Sequence, residues 1–397
     1  MKRINLKSAT VARSNTVRDI NRRIVLNYVR EKSPISRSEI ADITALQRST
    51  ISLIVEELKN DGFITEIYGE SSGGRPPILL SLKKSNPVAL GIAVTTIKTI
   101  VATSDLTARV IEKEEFDTDP DVKVTMSRIK KTAQKLIAKN NGSIHEIGVS
   151  LPGIVDSKRG IATFIPKFKW RNLHVVDELK AATGLNVRVE NDANAAALAE
   201  LWFGQPEIRE FRNFIFVLVE EGIGAGIVYD GQINQGKDGT AGEFGHMTIG
   251  QGAPVACATG SRECWESFAS ERAAIARYKN AVKSNKKSNA IDNIEELVDL
   301  ALAGDAVAQK ALQETAYYLG VGIANIIQGL GPEAIIVGGT IVRYWSLVIE
   351  NIKSALENGV CRENYTTKIV PSTLGLQSDL MGALSLILVP KFAVSIG

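Results

Sequence analysis

Cysteine is scarce, with three in 397 residues, too few for a disulfide framework, and Cys361 stands apart from Cys257 and Cys264. No apolar run approaches the roughly 18 residues needed to cross a bilayer. The C-terminal stretch Ala383–Val389 is far too short for that. The basic start, Met1–Lys7, has no apolar secretory core behind it. With so few thiols, a cytoplasmic protein is expected. Charge of one sign is also missing, because 47 Lys and Arg face 44 Asp and Glu for a net of +3. Hydrophobic residues at 44% and charged residues at 23% exclude a disordered chain. The length predicts two or three domains.

The charge balance hides a division. Residues 1–84 hold 15 basic against 9 acidic residues, a net of +6, and the remainder carries a net of −3. A basic first segment on a mildly acidic body points to a nucleic-acid reader joined to something else, or to a solvated basic face. Local sequence favours the reader. Val17 to Arg30 places Val17, Ile20, Ile24, Val25 and Tyr28 on one helical face, and Pro34 ends the run. Ser36 with Glu39 three residues on forms a capping box that opens a short helix through Ala41 and Ile43. A second helix is predicted from about Arg48 to Leu58, with Ile51, Ile54, Val55 and Leu58 inward and Asn60-Asp61-Gly62 as its stop.

That second helix leads with Gln47, Arg48, Ser49, Thr50 and Ser52, side chains that hydrogen-bond. Two short helices with a tight turn, the second polar at its start, form a helix-turn-helix whose second helix enters the major groove. Phe63–Ile67 and Ile78–Leu82 then read as strands around the Gly/Pro-rich tip 71–77, making a β-wing with Arg75 placed for phosphate or the minor groove. The alternative is a helical pair used for protein contact.

Past the linker Lys84–Pro87 the chain alternates strand and helix signals. Val88–Val94 and Lys98–Ala102 read as a strand pair, followed by a helix near 125–139, a strand at Ile147–Val149, a helix near 175–183 and the strand Val187–Val189. Phe214–Val219 and Ala225–Val228 form a second pair, with later helices near 294–302 and 306–330 and the strand Ala334–Val337. An antiparallel hairpin at the head of each half predicts an α/β body of two duplicated lobes around a cleft. Polar groups gather where strands end: Glu190-Asn191-Asp192 opening the helix 193–201, Glu243 and His246 on a glycine-rich turn, and Cys257, Cys264 and Glu266. Carboxylates, an amide and an imidazole converging in a cleft suit a polyhydroxylated ligand.

With these motifs the chain resembles the ROK family of sugar kinases and sugar-responsive repressors over nearly its whole length. The residues carrying the resemblance are Ile147–Asp156 (IGVSLPGIVD), Glu190-Asn-Asp-Ala-Asn194, Ala241-Gly-Glu-Phe-Gly-His246, Cys264-Trp-Glu266 and Ile335-Ile-Val-Gly-Gly339. Within the family, Trp170-Arg171 after Pro166, His246–Ile249 and the wing motif are most similar to xylose repressors.

The resemblance implies three parts: a winged helix-turn-helix over 1–84, a first α/β lobe over 85–197 completed by a C-terminal helix 380–397, and a second lobe over 198–379. The body would have the actin/hexokinase-type, ribonuclease H-like fold. It implies sugar contacts from Asn191, Asp192, Glu243, His246 and Glu266, with Gly153 shaping the pocket. The residue matching Asp192 is the proton-accepting base in the kinases.

The same comparison marks departures. Kinase members carry an Asp-x-Gly-Gly-Thr-Lys phosphate loop, where this chain has Ala93-Val-Thr-Thr-Ile-Lys98. Their second loop is Gly-Thr-Gly; here it is Glu220-Glu221-Gly222. Carboxylates aimed at phosphate repel it by roughly 4 kcal/mol per close pair at an effective dielectric near 20. Neither phosphoryl transfer nor bound ATP is expected.

Family members also hold a structural zinc through one His and the three Cys of Cys-x-Cys-Gly-x-x-Gly-Cys-x-Glu. Thr259 and Glu263 interrupt that pattern, leaving His246, Cys257 and Cys264 as an incomplete ligand set. The choice is between a zinc completed by another group and a metal-free loop held by packing.

The reading is a repressor of carbohydrate-utilisation genes. It would bind a palindromic operator as a homodimer or higher homo-oligomer and answer to a monosaccharide effector such as xylose or glucose. A sugar kinase with an appended DNA-binding domain, or a repressor controlled by a protein partner, are the rivals.

Overall fold

The computed structural model describes residues 14–70, 76–84, 87–140, 142–283, 291–359 and 366–393. Arg75, the wing tip 71–75, Cys361 and the last four residues of the expected C-terminal helix lie outside them.

The N-terminal segment folds as α1 (Ser14–Lys32), β1 (Ile35–Ser36), α2 (Arg37–Thr44), α3 (Arg48–Asn60), β2 (Ile64–Tyr68) and β3 (Ile78–Leu82). The Ser36–Glu39 capping box is formed in full, and Ala45 takes a left-handed conformation, φ 55°, to turn the chain between α2 and α3. Ile51, Ile54, Val55 and Leu58 are buried as their spacing requires. The wing strands pair antiparallel, Ile64 opposite Leu82 and Tyr68 opposite Ile78.

One helix face differs from the expectation. Val25, Leu26 and Val29 are the buried residues of α1, whereas Val17 is 47% exposed and Ile20, Ile24 and Tyr28 are half-buried. The apolar face is rotated because α1 packs against the body as well as against its own domain.

The first lobe contains β4 (Ala89–Val94), β5 (Lys98–Ser104), β6 (Val110–Asp117), α4 (Val122–Lys139) and β7 (Glu146–Leu151). It continues with β8 (Ile154–Asp156), β9 (Ile161–Ile165), β10 (Trp170–Leu173), α5 (Val175–Thr183) and β11 (Asn186–Asn191). Next come α6 (Asp192–Phe203) and the single turn α7 (Pro206–Arg209).

The second lobe contains β12 (Phe214–Val219), β13 (Ile223–Tyr229), β14 (Gln232–Ile233), α8 (Trp265–Ala269), α9 (Glu271–Lys283), α10 (Ile294–Leu302), α11 (Ala306–Leu330), β15 (Ala334–Gly339), α12 (Trp345–Gly359) and β16 (Lys368–Pro371). The chain then returns to the first lobe as α13 (Ser378–Phe392).

The two main sheets share one topology. The first runs β11-β7-β4-β5-β6 and the second β16-β15-β12-β13-β14, each an antiparallel meander continued on one side by two parallel strands. The duplication expected from the paired hairpins is therefore present in the topology, although no residue-level repeat survives.

Between the sheets lie two helices. α13 covers the first sheet, α6 covers the second, and the two pack on each other. A Cβ on Gly148 would stand 1.9 Å from the Ala383 carbonyl oxygen, and one on Gly382 would stand 2.8 Å from the Ala195 backbone, so glycine is needed for both approaches. Gly382 opposite Ala195 places the helices side by side and parallel, with both N-termini at the interlobe cleft. The core does not stop at residue 84. Val25, Leu26, Val29, Ile40 and Leu80 form one buried cluster with Leu384, Leu388 and Phe392 of α13.

Candidate sugar cleft and DNA-reading helix

Asn191 and Asp192 sit where β11 ends and α6 begins. The Asn191 side chain caps the helix, accepting from the Asn194 N–H at 3.1 Å, and its amide donates to Gly153 O at 3.0 Å and to Asp192 Oδ1 at 2.9 Å. Asp192 Oδ1 also accepts from the Ala193 N–H at 2.8 Å. The bonds found for Asp192 all fall on Oδ1, which leaves Oδ2 for a ligand. Burial, with the nearby Asp379 and Glu243 carboxylates added, pushes Asp192 up to about 7. Gly153 holds φ +83°, and a Cβ there would meet Phe164 O at 2.4 Å, so a tight glycine turn sets the floor under Asn191.

Across the cleft, a short 3-10 turn carries Glu243 and His246, with His246 Nε2 3.8 Å from Glu243 Oε2. Burial raises the Glu243 carboxyl; His246 works against the shift and Glu266 with it. Glu266 is buried at the start of α8, accepts from the Ala258 N–H at 3.2 Å and lies over Gly222, where a Cβ would be 2.8 Å from its Oε2. Thus the first-lobe residues Gly153, Asn191 and Asp192 and the second-lobe residues Glu243, His246 and Glu266 line facing sides of the cleft. Asn191 acts mainly as the helix cap and as the group that orients Asp192.

The stretches that match the kinases' phosphate loops make contacts within the chain. Thr95 Oγ1 accepts from the Ile97 and Lys98 N–H groups at 3.3 and 3.1 Å, so these two amides of the first loop are already engaged within the turn. Glu221 Oε1 pairs with Lys167 Nζ at 2.9 Å, and the Glu221 carbonyl accepts from Arg272 Nε at 2.7 Å. Glu220 lies beside Asp379 of α13. Burial, followed by the neighbouring Asp379 and Asp192 charges, lifts Glu220 well above the ordinary carboxyl range. Burial likewise lifts Asp379 to about 6, with its neighbour Glu220 and the charge of Lys98 opposing. Gly338 and Gly339 pack against Phe216 and Val219, where a Cβ would come within 2.4 and 2.0 Å.

Two groups here carry no signal in the sequence. Asp379 follows no motif, and Glu271, lifted by burial to about 8, lies in an ordinary helix start. Glu190 was visible beside Asn191. It proves to be buried and to accept from Ser157 Oγ at 2.8 Å in one lobe and from the Gln235 side chain in the other.

His246, Cys257 and Cys264 bring one donor atom each within 4.8 Å of one another. The Cys264 thiol donates to Cys257 Sγ at 3.3 Å, Thr259 Oγ1 lies 2.9 Å from Cys257 Sγ, and His246 Nδ1 is buried without a hydrogen-bond partner. One imidazole and two sulfurs this close together could supply three of the four ligands of a zinc site. Thr259, where the family pattern has cysteine, offers only a hydroxyl.

In the N-terminal domain, Gln47, Arg48, Ser49 and Ser52 are exposed at the start of α3 and Thr50 is half-buried. Ser52 Oγ donates back to Arg48 O at 2.9 Å, keeping its lone pairs for a partner. The other described arginines on this face are occupied: Arg18 by Glu57, Arg22 by Asp61, and Arg37 by Glu56 and Glu66. The Arg48 side chain has no hydrogen bond or ion pair among the described residues. Leu53, one turn later and outside the inward set of α3, is 67% exposed. On a groove-facing surface it suits a thymine methyl.

A winged helix-turn-helix seated on a two-lobed, sugar-kinase-type body defines a DNA-binding regulator. Known proteins agree. The chain belongs to the ROK family, whose model matches residues 88–389, and a winged helix-turn-helix DNA-binding model matches residues 18–65. It is 30% identical over 392 residues to the xylose repressor of Bacillus spizizenii, covering 95% of this chain and 97% of that protein.

Among solved structures, a ROK family transcriptional regulator described as a homolog of the Escherichia coli MLC protein superposes with a TM-score of 0.79 at 27% identity, covering 95% of this chain and 97% of that one. A ROK family glucokinase from Streptomyces griseus, solved with glucose and AMPPNP, superposes with a TM-score of 0.67 at 28% identity over 75% of this chain and 98% of its own. The difference in coverage of this chain separates the regulator from the kinase.

Proposed function

We propose that this protein is a sugar-responsive transcriptional repressor: a monosaccharide in the interlobe cleft controls binding of a palindromic operator, with no phosphoryl transfer. The observation carrying this reading is the contrast within one cleft. Asp192, Glu243, His246 and Glu266 form an acceptor-rich wall for sugar hydroxyls. The Thr95 turn and the Glu220–Asp379 pair put engaged amides and acidic groups at the stretches that match the kinases' phosphate loops. Phosphate transfer needs donors and cations there. The relatives' names make xylose the first effector to try, and the sensor role favours a homodimer that presents two copies of α3 to two half-sites.

His246, Cys257 and Cys264 are proposed as three protein ligands of a structural zinc, which when bound would tie the Glu266 loop to the Glu243 turn. The functional test is operator binding by fluorescence anisotropy, titrated with D-xylose and D-glucose, alongside a coupled assay for ADP release. A sugar-dependent change in operator affinity with no nucleotide consumption is expected. Sugar-dependent ATP turnover would establish the kinase rival instead, and an operator affinity indifferent to both sugars would favour control by a protein partner.

A further inference from the structure

We infer that Arg30 is the residue through which the sugar cleft communicates with the DNA-binding domain, an inference that rests on the repressor reading. Both interlobe helices run from the cleft to this one side chain. α6 begins at Asp192 and, about 15 Å further along at 1.5 Å per residue, reaches Trp202. α13 has Asp379 in its first turn and ends about 20 Å away at Phe392. The Arg30 guanidinium lies between the two far ends, 4.9 Å from the Trp202 ring and 4.8 Å from the Phe392 ring.

Neighbouring contacts extend the junction to the C-terminal helix and to the connection into the second lobe. Arg23 Nη1 donates to Ala393 O at 2.8 Å and Asn27 Nδ2 to Phe392 O at 2.6 Å, anchoring α1 on α13. Arg30 Nη2 donates to Glu31 Oε1 at 2.6 Å, and the same carboxylate receives Arg209 Nη1 of α7 at 2.9 and 2.8 Å. The last turn of α1 therefore touches α13 of the first lobe through Phe392 and the connection into the second lobe through Arg209. Any change in the angle between α6 and α13 must move Trp202 relative to Phe392, and Arg30 sits between them.

The chemistry of the junction is that of a part able to switch. A buried cation is costly unless all its donors are met. Arg30 Nε and Nη1 are buried without acceptors, as is Arg209 Nε. Plain stability would be served as well by an apolar residue of similar volume between the two rings. Unmet donors instead leave the side chain able to take a different partner after a small displacement, which is how packed interfaces acquire two discrete arrangements. A groove of about 400 Å³ bordered by Arg30, Glu31, Trp202, Pro206 and Arg209 gives the side chains room to rearrange.

The test uses the full-length protein and the variants Arg30→Met and Trp202→Leu, with operator affinity measured without sugar and with saturating D-xylose or D-glucose, and sugar affinity measured separately by calorimetry. Arg30→Met keeps apolar volume between the rings. Both variants should keep sugar affinity and sugar-free operator affinity within about threefold of the wild type, while the ratio of operator affinities with and without sugar falls toward one. Hydrogen exchange at the C-terminal turn of α1 should respond to sugar in the wild type and not in Arg30→Met, a difference that a purely structural side chain would not produce. A wild-type ratio in Arg30→Met would overturn this inference and leave the repressor reading standing. A wild type whose operator affinity ignores both sugars would overturn both. Should Arg30→Met not fold, Trp202→Leu decides by the same ratio.

Discussion

Glu220, at the turn after the first strand of the second lobe, lies beside Asp379, in the first turn of the helix that closes the first lobe. Two buried carboxyl groups this close disfavour each other's ionisation, and burial together with the surrounding acids lifts Glu220 well above the ordinary carboxyl range. The pair brings the two lobes together at the stretch that departs from the kinases' second phosphate loop. On the repressor reading these two acids brace the cleft instead of serving a nucleotide.

Stability should therefore fall as pH rises. Asp192, Asp379 and Glu271 are raised to about 7, 6 and 8, and Glu220 is raised further than an ordinary carboxyl, whereas in the unfolded chain these groups titrate near 4. A group whose folded pKa is raised contributes fully below its unfolded pKa and loses that contribution as pH climbs through the folded value. The window thus runs from about pH 4 to about pH 8. Thermal melts of the sugar-free protein should show Tm dropping between pH 5.5 and 8. The drop should be smaller in Glu220→Gln, whose amide stays neutral beside Asp379 at any pH. Parallel profiles for the two proteins would show that the brace holds no proton.

Arg48→Ala should weaken operator binding by about 1–3 kcal/mol if the side chain reads a base edge. If it holds a phosphate, the loss should be uniform across sequences and the salt slope should fall by about one. Either result leaves sugar affinity unchanged, because the Arg48 side chain makes no hydrogen bond or ion pair with the sugar cleft or with any other described residue. Anisotropy titrations at several salt concentrations separate the two, and an unchanged affinity would remove the start of α3 from the interface.

Asp192→Ala should weaken sugar binding while operator binding in the absence of sugar survives. A buried carboxylate that accepts from a ligand hydroxyl is worth about 1.5–3 kcal/mol, so a tenfold or greater loss of sugar affinity is expected by calorimetry. Asp192→Asn keeps the helix start and should fall in between. Loss of DNA binding in either variant would mean that Asp192 supports the fold rather than the ligand.

Metal analysis of the purified protein should find about one zinc per chain if His246, Cys257 and Cys264 act together. Chelation should then release the Glu266 loop and lower sugar affinity, and Cys264→Ser should copy the effect without chelator. A metal-free protein with full sugar affinity would assign the two thiols to packing.

Local chemistry carried much of this protein in plain view. The capping box at Ser36, the Ile51–Leu58 spacing of α3, the twin hairpins and the helix 306–330 all follow from interactions between residues a few positions apart. The departures from the family's phosphate loops were legible for the same reason: Thr96 and Glu220 stand where the kinase pattern has glycine, and that is read one position at a time.

Three-dimensional packing decided the rest. α13 is apolar on nearly every side, so its residues announce burial without naming a neighbour. That Asp379 meets Glu220, or that Phe392 meets Arg30 across more than 360 positions of chain, depends on where the last helix docks. The rotated face of α1 has the same origin: periodicity reports that a helix has an apolar side, and only the second surface pressed against it determines which residues that side comprises.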